Sequence, residues 1–243
     1  AITMVPTFLG AHEIPDEYRN DKQKYIDIIC QEMIPRVKEE NLAIFCDVFC
    51  EKNIFEIDES RQILETAKQY GLIPKLHADE LNPLGGAELS AEVGAISADH
   101  WLKVSSKGID EMKRAGVVPV ILPGTAFFLG KREYAPVPVM LEKGLAVAIA
   151  TDYNPGSCHT QNMQMMLNLA VTYLHMTPDQ YIDATTRISA RAIQMDRQVG
   201  TLEAGKFADF ILVDVPNMAS LAYHFGVNHV NKVFKLGELV WHK

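Results

Sequence analysis

The chain has 243 residues, of which 48% are hydrophobic and 22% are charged, as in an ordinary globular domain. Its 23 basic and 31 acidic residues give a formal charge of −8, which argues against nucleic-acid and anionic-membrane partners. No apolar run reaches the ~18 residues of a spanning helix. The four cysteines form no CxxC pair, and the first residues lack the charged region of a signal peptide. We therefore expect a cytoplasmic protein with reduced thiols.

Strand-like and helix-like segments alternate along most of the chain. Strands are predicted at residues 3–10, 42–49, 73–77, 95–100, 117–122 and 145–151. Helices are predicted at residues 16–38, 60–70, 86–93, 107–115, 140–143, 161–175 and 178–194. Repeated βα units imply a parallel sheet with helices on both faces.

Six consecutive βα units without a reversal favour a TIM-type (β/α)₈ barrel over an open sheet. A closed barrel of this type needs eight strands, so we expect two further strands before residue 1. We assign residues 1–196 to this incomplete barrel. A turn-rich segment follows, with a strand at residues 208–214 and a hairpin at 233–241. We assign residues 197–243 to a small β-sandwich domain that upstream strands would complete.

Polar residues follow three of the predicted strands, where a parallel sheet opens toward its ligand crevice. His77 ends the third strand with Glu80 three positions later, His100 ends the fourth strand, and Asp152 follows the sixth. Imidazole and carboxylate groups are ligands for Zn²⁺ or Fe²⁺, and such a metal lowers the pKa of a water molecule toward neutrality. The pattern predicts a catalytic metal site with His77 and Asp152 as ligands.

The same pattern predicts a chemical role for each neighbouring polar group. Asp152 could also accept the proton of the attacking water, His100 would polarise the developing oxyanion, and Glu80 would carry the proton to the leaving nitrogen. Each residue also has a structural interpretation. A lone strand-end histidine is often simply hydrogen bonded, and an aspartate before a loop is often a cap. The order of the three segments favours the metal site.

Residues at other strand ends are candidates for substrate binding. His12 follows the first strand, and its position leaves a substrate contact and a structural role open. Glu51 follows the second strand and could line the pocket or be a solvated carboxylate. The loop after Asp152 offers neutral donors that suit a carboxylate, from Asn154, Gly156 and Ser157. A simple turn is the alternative interpretation of that loop.

Five stretches of the sequence are distinctive as motifs. They are Phe8-Leu9-Gly10-Ala11-His12, His77-Ala78-Asp79-Glu80, Ser97-Ala98-Asp99-His100, Ala150-Thr151-Asp152-Tyr153-Asn154-Pro155-Gly156-Ser157 and Gly200-Thr201-Leu202-Glu203-Ala204-Gly205-Lys206-Phe207-Ala208-Asp209. Together they resemble the amidohydrolase superfamily and, within it, the imidazolonepropionase family. The last motif is common to the superfamily, whereas the first motif and the Asn-Pro-Gly-Ser loop belong to the narrower pattern. The resemblance extends over essentially the whole chain.

The resemblance implies a hydrolase that opens 4-imidazolone-5-propanoate to N-formimidoyl-L-glutamate in histidine degradation. It implies one divalent metal, zinc or iron, on His77 and Asp152, with His100 beside the activated water and Glu80 in proton transfer. The substrate contacts that it implies are His12, Glu80, Asn154, Gly156 and Ser157. A homodimer acting on a small molecule is the family expectation. The family also has a His-x-His metal pair on its first barrel strand, which this chain lacks, in agreement with the expected missing strands.

Two other functions stay open at this point. One is a metal-dependent deaminase of a cyclic base such as cytosine or guanine, in which a His-x-x-Glu pair also protonates a ring nitrogen. The other is a non-catalytic barrel fragment that serves in assembly or ligand binding, because the His-x-His pair is absent. Ammonia release would identify the deaminase, and an upstream His-x-His pair in the same gene would remove the fragment hypothesis.

Overall fold

The structure is a computed structural model that describes residues 2–243, and it contains two compact units, residues 4–119 and residues 120–243. Each unit has parallel strands joined by helices, and an antiparallel sheet ends the second unit. The predicted α/β class, the six strands of the βα units and the C-terminal β element are confirmed. Within residues 2–243, no helix has both the length and the apolar character needed to cross a bilayer.

The N-terminal unit contains four parallel strands that pair in chain order. They are β1 (Thr7–Ala11), β2 (Phe45–Cys50), β3 (Ile73–Ala78) and β4 (Ser97–His100). In this register His77 of β3 lies opposite Phe49 of β2 and Asp99 of β4. Since parallel strands end at the same edge of a sheet, the polar residues at these strand ends lie on one side of the unit.

Helices connect these strands. They are α1 (Lys22–Ile28), α2 (Ile34–Glu39), α3 (Ile57–Gln69), α4 (Gly86–Glu92) and α5 (Ser106–Ala115). The longest, α3, begins with a capping box between Glu56 and Glu59 and is followed by Gly71 in left-handed conformation (φ 78°). Its residues Ile63 and Leu64 are fully buried, which anchors the helix to the core.

The predicted helix at residues 16–38 is interrupted. A 3₁₀ turn, Asp16–Tyr18, comes first, and the side chain of Asp21 caps the start of α1 by accepting a backbone N–H. A π-helical turn, Ile29–Met33, separates α1 from α2. Pro35, at the start of α2, has no N–H for the carbonyl four residues earlier, so the regular hydrogen-bond pattern breaks there.

Gly86, the first residue of α4, lies against β3 with no space for a side chain. A Cβ atom at this position would lie 2.7 Å from the Cβ of Ala78 and 3.2 Å from its Cα. Gly86→Ala should lower the free energy of unfolding by about 1–3 kcal/mol, the usual effect of overpacking, even though alanine is the better helix former. Urea unfolding measures this difference, and equal or greater stability of the variant would contradict the close contact.

The C-terminal unit begins within β5 (Val118–Ile121), which pairs in parallel with β6 (Ala148–Ile149). Its helices are α6 (Pro123–Phe128), α7 (Val137–Glu142), α8 (Met163–Thr172), α9 (Pro178–Thr185), α10 (Arg187–Ala192) and α11 (Ala219–Tyr223). The predicted helix at residues 178–194 is divided at Thr186, whose φ of −122° and ψ of −89° are not helical. The sequence does not predict α6 and α11, which have 6 and 5 residues, and α6 opens on Pro123-Gly124, a pair typical of turns.

Three antiparallel strands complete the C-terminal unit. They are β7 (Phe210–Val213), β8 (Val230–Lys235) and β9 (Glu238–His242). The turn from β8 to β9 has φ of 53° at Leu236 and 83° at Gly237, as two-residue hairpins require. Asp209 stabilises this turn, because it accepts hydrogen bonds from the backbone of Leu236 and the ammonium of Lys235. The predicted strand and hairpin are confirmed, whereas the domain boundary at residue 196 stays a prediction.

The cysteines are buried thiols, as expected from the sequence. The four residues Cys30, Cys46, Cys50 and Cys158 are free and buried. Burial raises the pKa of Cys50 to about 11 and also raises that of Cys46, so both thiols are protonated at neutral pH. Both lie on β2, where they pack as small core residues.

Candidate metal and substrate site

Three polar side chains meet on one face of the N-terminal sheet: His12 directly after β1, Asp47 within β2 and His77 near the end of β3. Asp47 Oδ1 lies 2.8 Å from His77 Nδ1 and 3.1 Å from His12 Nε2, so two imidazoles share one carboxylate oxygen. The two rings pack edge to face with centroids 4.3 Å apart. One potential ligand atom from each residue lies within 4.8 Å of the other two. Imidazole nitrogens with a carboxylate are a donor set that fits Zn²⁺ or Fe²⁺.

Asp47 is the buried charge at the centre of this cluster, with 1% of its surface exposed. Burial by itself would raise the pKa of Asp47, but His77 and His12 together lower this pKa below its ordinary value. The carboxylate is therefore ionised and accepts from both rings. A carboxylate on Nδ1 of a histidine fixes the ring and directs Nε2 toward a metal, as outer-shell partners of metal ligands do. Asp47 has the geometry of such an orienting group.

His100, the last residue of β4, and Glu80, in the loop after β3, lie beside the cluster. The rings of His77 and His100 have centroids 5.2 Å apart, and His100 Nε2 lies 3.5 Å from Glu80 Oε2. Burial first, and then the nearby His77, keep the pKa of His100 well below its usual value, so this ring is neutral near pH 7. The N-terminal unit thus brings together His12, His77, Glu80 and His100.

Three residues at or shortly after the ends of the site strands have left-handed backbone conformation. Asp79, His100 and Asp152 have φ angles of 49°, 84° and 55°. Such angles cost about 1–3 kcal/mol for a residue with a side chain, so neighbouring contacts must hold them. Asp79 shows one means: its buried carboxylate accepts hydrogen bonds of 3.0 to 3.1 Å from three backbone N–H groups at the start of α4. The segment before Glu80 is therefore anchored to a helix.

Asp152 lies in the C-terminal unit, shortly after β6. Its Oδ2 accepts a hydrogen bond of 2.5 Å from Thr125 Oγ1 on α6. Its backbone carbonyl accepts a second bond, of 2.8 Å, from Asn154 Nδ2. The carboxylate of Asp152 is thus oriented by a hydroxyl group from a different element, a constraint that suits a ligand or a proton acceptor.

In the loop at residues 154–157, the donors predicted to bind substrate are hydrogen bonded to other atoms of the same loop. Asn154 Oδ1 accepts hydrogen bonds of 2.8 Å from the backbone N–H groups of both Gly156 and Ser157, and Asn154 Nδ2 donates to Ser157 Oγ at 3.0 Å. These bonds form an Asx turn, which is the alternative interpretation of the loop. Substrate binding by Asn154, Gly156 and Ser157 requires donors to exchange partners, and it stays a prediction.

Sequence comparison identifies the family of this chain. A family model described as "Amidohydrolase family" matches residues 4–240. The chain belongs to the amidohydrolase family. The imidazolonepropionase of Alkaliphilus oremlandii (strain OhILAs) is 50% identical over 240 residues, which cover 99% of this chain and 57% of that protein. The imidazolonepropionase of Thermoanaerobacter pseudethanolicus (strain ATCC 33223 / 39E) is 52% identical over 234 residues, which cover 96% of this chain and 56% of that protein. This amidohydrolase chain spans about half the length of the curated relatives it matches.

The solved structures that share this fold also have longer chains than this amidohydrolase chain. A zinc-bound adenosine deaminase from Xanthomonas campestris gives a TM-score of 0.73 at 18% identity, with 97% of this chain and 60% of that one covered. A 5-methylcytosine deaminase from Klebsiella pneumoniae, liganded with 5-fluorocytosine, gives a TM-score of 0.73 at 17% identity, with 91% of this chain and 60% of that one covered. At these identities the likeness concerns the fold alone, and it confirms the predicted TIM-type class.

The sequence pattern does not single out Asp47 or Thr125 as site residues of this amidohydrolase chain. Asp47 lies within the apolar run of β2, and Thr125 lies on a short helix that opens on the turn-like pair Pro123-Gly124. The available signal was the charge itself, because an aspartate inside a buried strand needs a partner such as a histidine. Thr125 has no comparable signal, since threonine is ordinary at any exposed or buried position.

Proposed function

We propose that the complete polypeptide that carries this sequence is a metal-dependent cyclic amidohydrolase, which opens 4-imidazolone-5-propanoate to N-formimidoyl-L-glutamate. The proposal depends most on the cluster of His12, Asp47 and His77, with His100 and Glu80 beside it. This cluster occurs in a chain that is similar to an imidazolonepropionase along 99% of its length. Ring opening needs attack by water on a ring carbon and protonation of a ring nitrogen, and the cluster contains groups for both steps.

In this proposal His77 and Asp152 hold one divalent metal ion, zinc or iron. Asp47 occupies Nδ1 of His77, so coordination by this histidine would use Nε2. When bound, such an ion lowers the pKa of a water molecule to about 7, which supplies a nucleophile at neutral pH. Thr125 supports the arrangement by fixing the carboxylate of Asp152.

The side chains carry out the proton transfers and hold the substrate. Asp152 accepts the proton of the attacking water, and Glu80 carries it to the leaving ring nitrogen. His100 is neutral and buried, so it can donate a hydrogen bond to the developing oxyanion without bringing a charge. His12, oriented by Asp47, contacts the substrate ring.

The propionate group of the substrate would meet neutral donors. Asn154, Gly156 and Ser157 offer amide and hydroxyl groups that suit a carboxylate. The chain is further proposed to work in the cytoplasm as a homodimer. Light scattering of the complete polypeptide tests the dimer, and a monomer at working concentration would contradict it.

Loss of the ultraviolet absorbance of 4-imidazolone-5-propanoate tests the proposed reaction. The complete polypeptide should turn this substrate over, and Glu80→Gln should lower kcat by about 10²–10⁴-fold because the proton carrier is lost. Glu92→Gln is the matched control, since Glu92 forms an ion pair with Arg61 on the exposed side of α4 and should leave kcat unchanged.

The two alternative functions give different results in the same experiments. A deaminase would release ammonia from cytosine or guanine and leave the imidazolone unchanged. A non-catalytic protein would turn over neither substrate although folded and loaded with metal. Either result would contradict the proposed ring opening.

A further inference from the structure

Glu51 is a buried carboxylate that the proposed chemistry does not use. It directly follows β2, and 1% of its surface is exposed. Its Oε2 accepts hydrogen bonds from the backbone N–H groups of Leu81 (3.0 Å) and Asn82 (3.3 Å). Its Oε1 accepts from Asn82 Nδ2 (2.8 Å) and from the backbone N–H of Lys52 (2.8 Å). Glu51 is therefore a fully engaged acceptor and not a solvated carboxylate.

The backbone of Glu51 is itself fixed. Its N–H donates to the carbonyl of Phe55 at 3.0 Å, and its carbonyl accepts from the N–H of Ile54 at 3.0 Å. Phe55 is completely buried, and Cys50 pairs with it in a parallel bridge. The tight turn after β2 thus gives Glu51 a rigid base from which to hold a neighbouring loop.

The loop that Glu51 holds contains the proposed proton carrier. Leu81 and Asn82 directly follow Glu80, and Asp79 directly precedes it. Before Glu80 in the chain, the carboxylate of Asp79 binds the start of α4. After Glu80, the carboxylate of Glu51 binds the consecutive N–H groups of Leu81 and Asn82. The backbone of Glu80 is therefore held from both sides while its side chain lies 3.5 Å from His100 Nε2.

We propose that Glu51 is a positioning residue, which fixes the loop so that the carboxylate of Glu80 keeps its place beside His100. The catalytic part of this inference rests on the proposed function of Glu80, whereas the contact itself does not. All four groups around Glu51 are N–H donors, and a glutamine of the same shape would place its NH₂ against some of them. An amide therefore cannot replace this carboxylate.

Hydrogen exchange and steady-state kinetics of the complete polypeptide test this role. In Glu51→Gln the amides of Leu81 and Asn82 should exchange at least about tenfold faster by mass spectrometry, because the glutamine NH₂ opposes two of the four N–H donors around Glu51 and loosens the loop. The kcat should fall by about 10- to 100-fold, with a smaller change in KM, because a displaced proton carrier slows chemistry more than binding. Glu92→Gln should change neither quantity.

Asn82→Ala is the second variant, which tests the contact from the opposite side if Glu51→Gln does not fold. It removes one of the four donors and should give changes in the same direction but smaller. Unchanged exchange at residues 81 and 82 in the folded variants would overturn the contact. Faster exchange with unchanged kcat, in a protein that Glu80→Gln inactivates, would overturn the positioning role. An active Glu80→Gln protein would defeat the role of Glu80 separately, and the exchange rates would then decide the contact alone.

Discussion

In the complete polypeptide, replacement of His77 by alanine should remove metal binding at the proposed site and lower kcat/KM for the proposed substrate, 4-imidazolone-5-propanoate, by about a thousandfold or more. Water has a pKa near 15.7 without a metal, so the nucleophile is scarce at neutral pH. Loss of an outer-shell group that only orients a metal ligand already lowers metal affinity or activity by about 10- to 100-fold, so loss of the ligand itself should lower it further. Elemental analysis and the ultraviolet assay on the same sample measure the effect.

Chelation of the unmodified protein provides the parallel experiment. It should reproduce the loss of activity, and added Zn²⁺ or Fe²⁺ should restore it. His242→Ala serves as the matched control, because His242 is an exposed histidine at the end of β9 and should change neither metal content nor rate. Full metal content in His77→Ala, or activity that survives chelation, would contradict the proposed mechanism.

Asp47→Asn should weaken metal binding by about 10- to 100-fold with little change in the shape of the site. The neutral amide no longer holds the rings of His77 and His12 by charge, although one oxygen stays available to accept a hydrogen bond. KM should also rise, since His12 is the proposed substrate contact. Competition with a chromophoric chelator measures the metal affinity, and substrate titration measures KM.

Asp79→Asn is the matched control for Asp47. Both aspartates are 1% exposed, but the carboxylate of Asp79 binds backbone N–H groups of α4 and no histidine. This variant should lose stability and keep its metal affinity. Equal metal affinity of the Asp47→Asn protein and the unmodified protein would show that Asp47 does not orient the ligand.

The strand ends that carry the site residues follow from local sequence. Buried parallel strands are short apolar runs, and polar residues at their carboxyl ends are conspicuous, which is why His77 and His100 are placed at the ends of β3 and β4. The hairpin around Gly237 follows from turn chemistry that needs left-handed backbone. These features are set by residues that are close together in the chain, so they can be predicted from the sequence.

Contacts between distant segments do not follow in this way. Asp47 is 30 positions from His77, and Glu51 is 30 positions from Leu81, so only the strand register brings these groups together. The loop at residues 154–157 shows the opposite difficulty, because its composition suits both a turn and a binding site. The structure shows the hydrogen bonds of the turn, and substrate binding there depends on a ligand that competes for the same donors.

Anomalous diffraction from crystals of the complete polypeptide, collected at the zinc and iron absorption edges, tests the ligand assignment most directly. We expect one peak about 2.0–2.2 Å from both His77 Nε2 and a carboxylate oxygen of Asp152. A peak held by His12 and Asp47 without Asp152, or no peak at either edge in crystals of the active protein, would contradict that assignment.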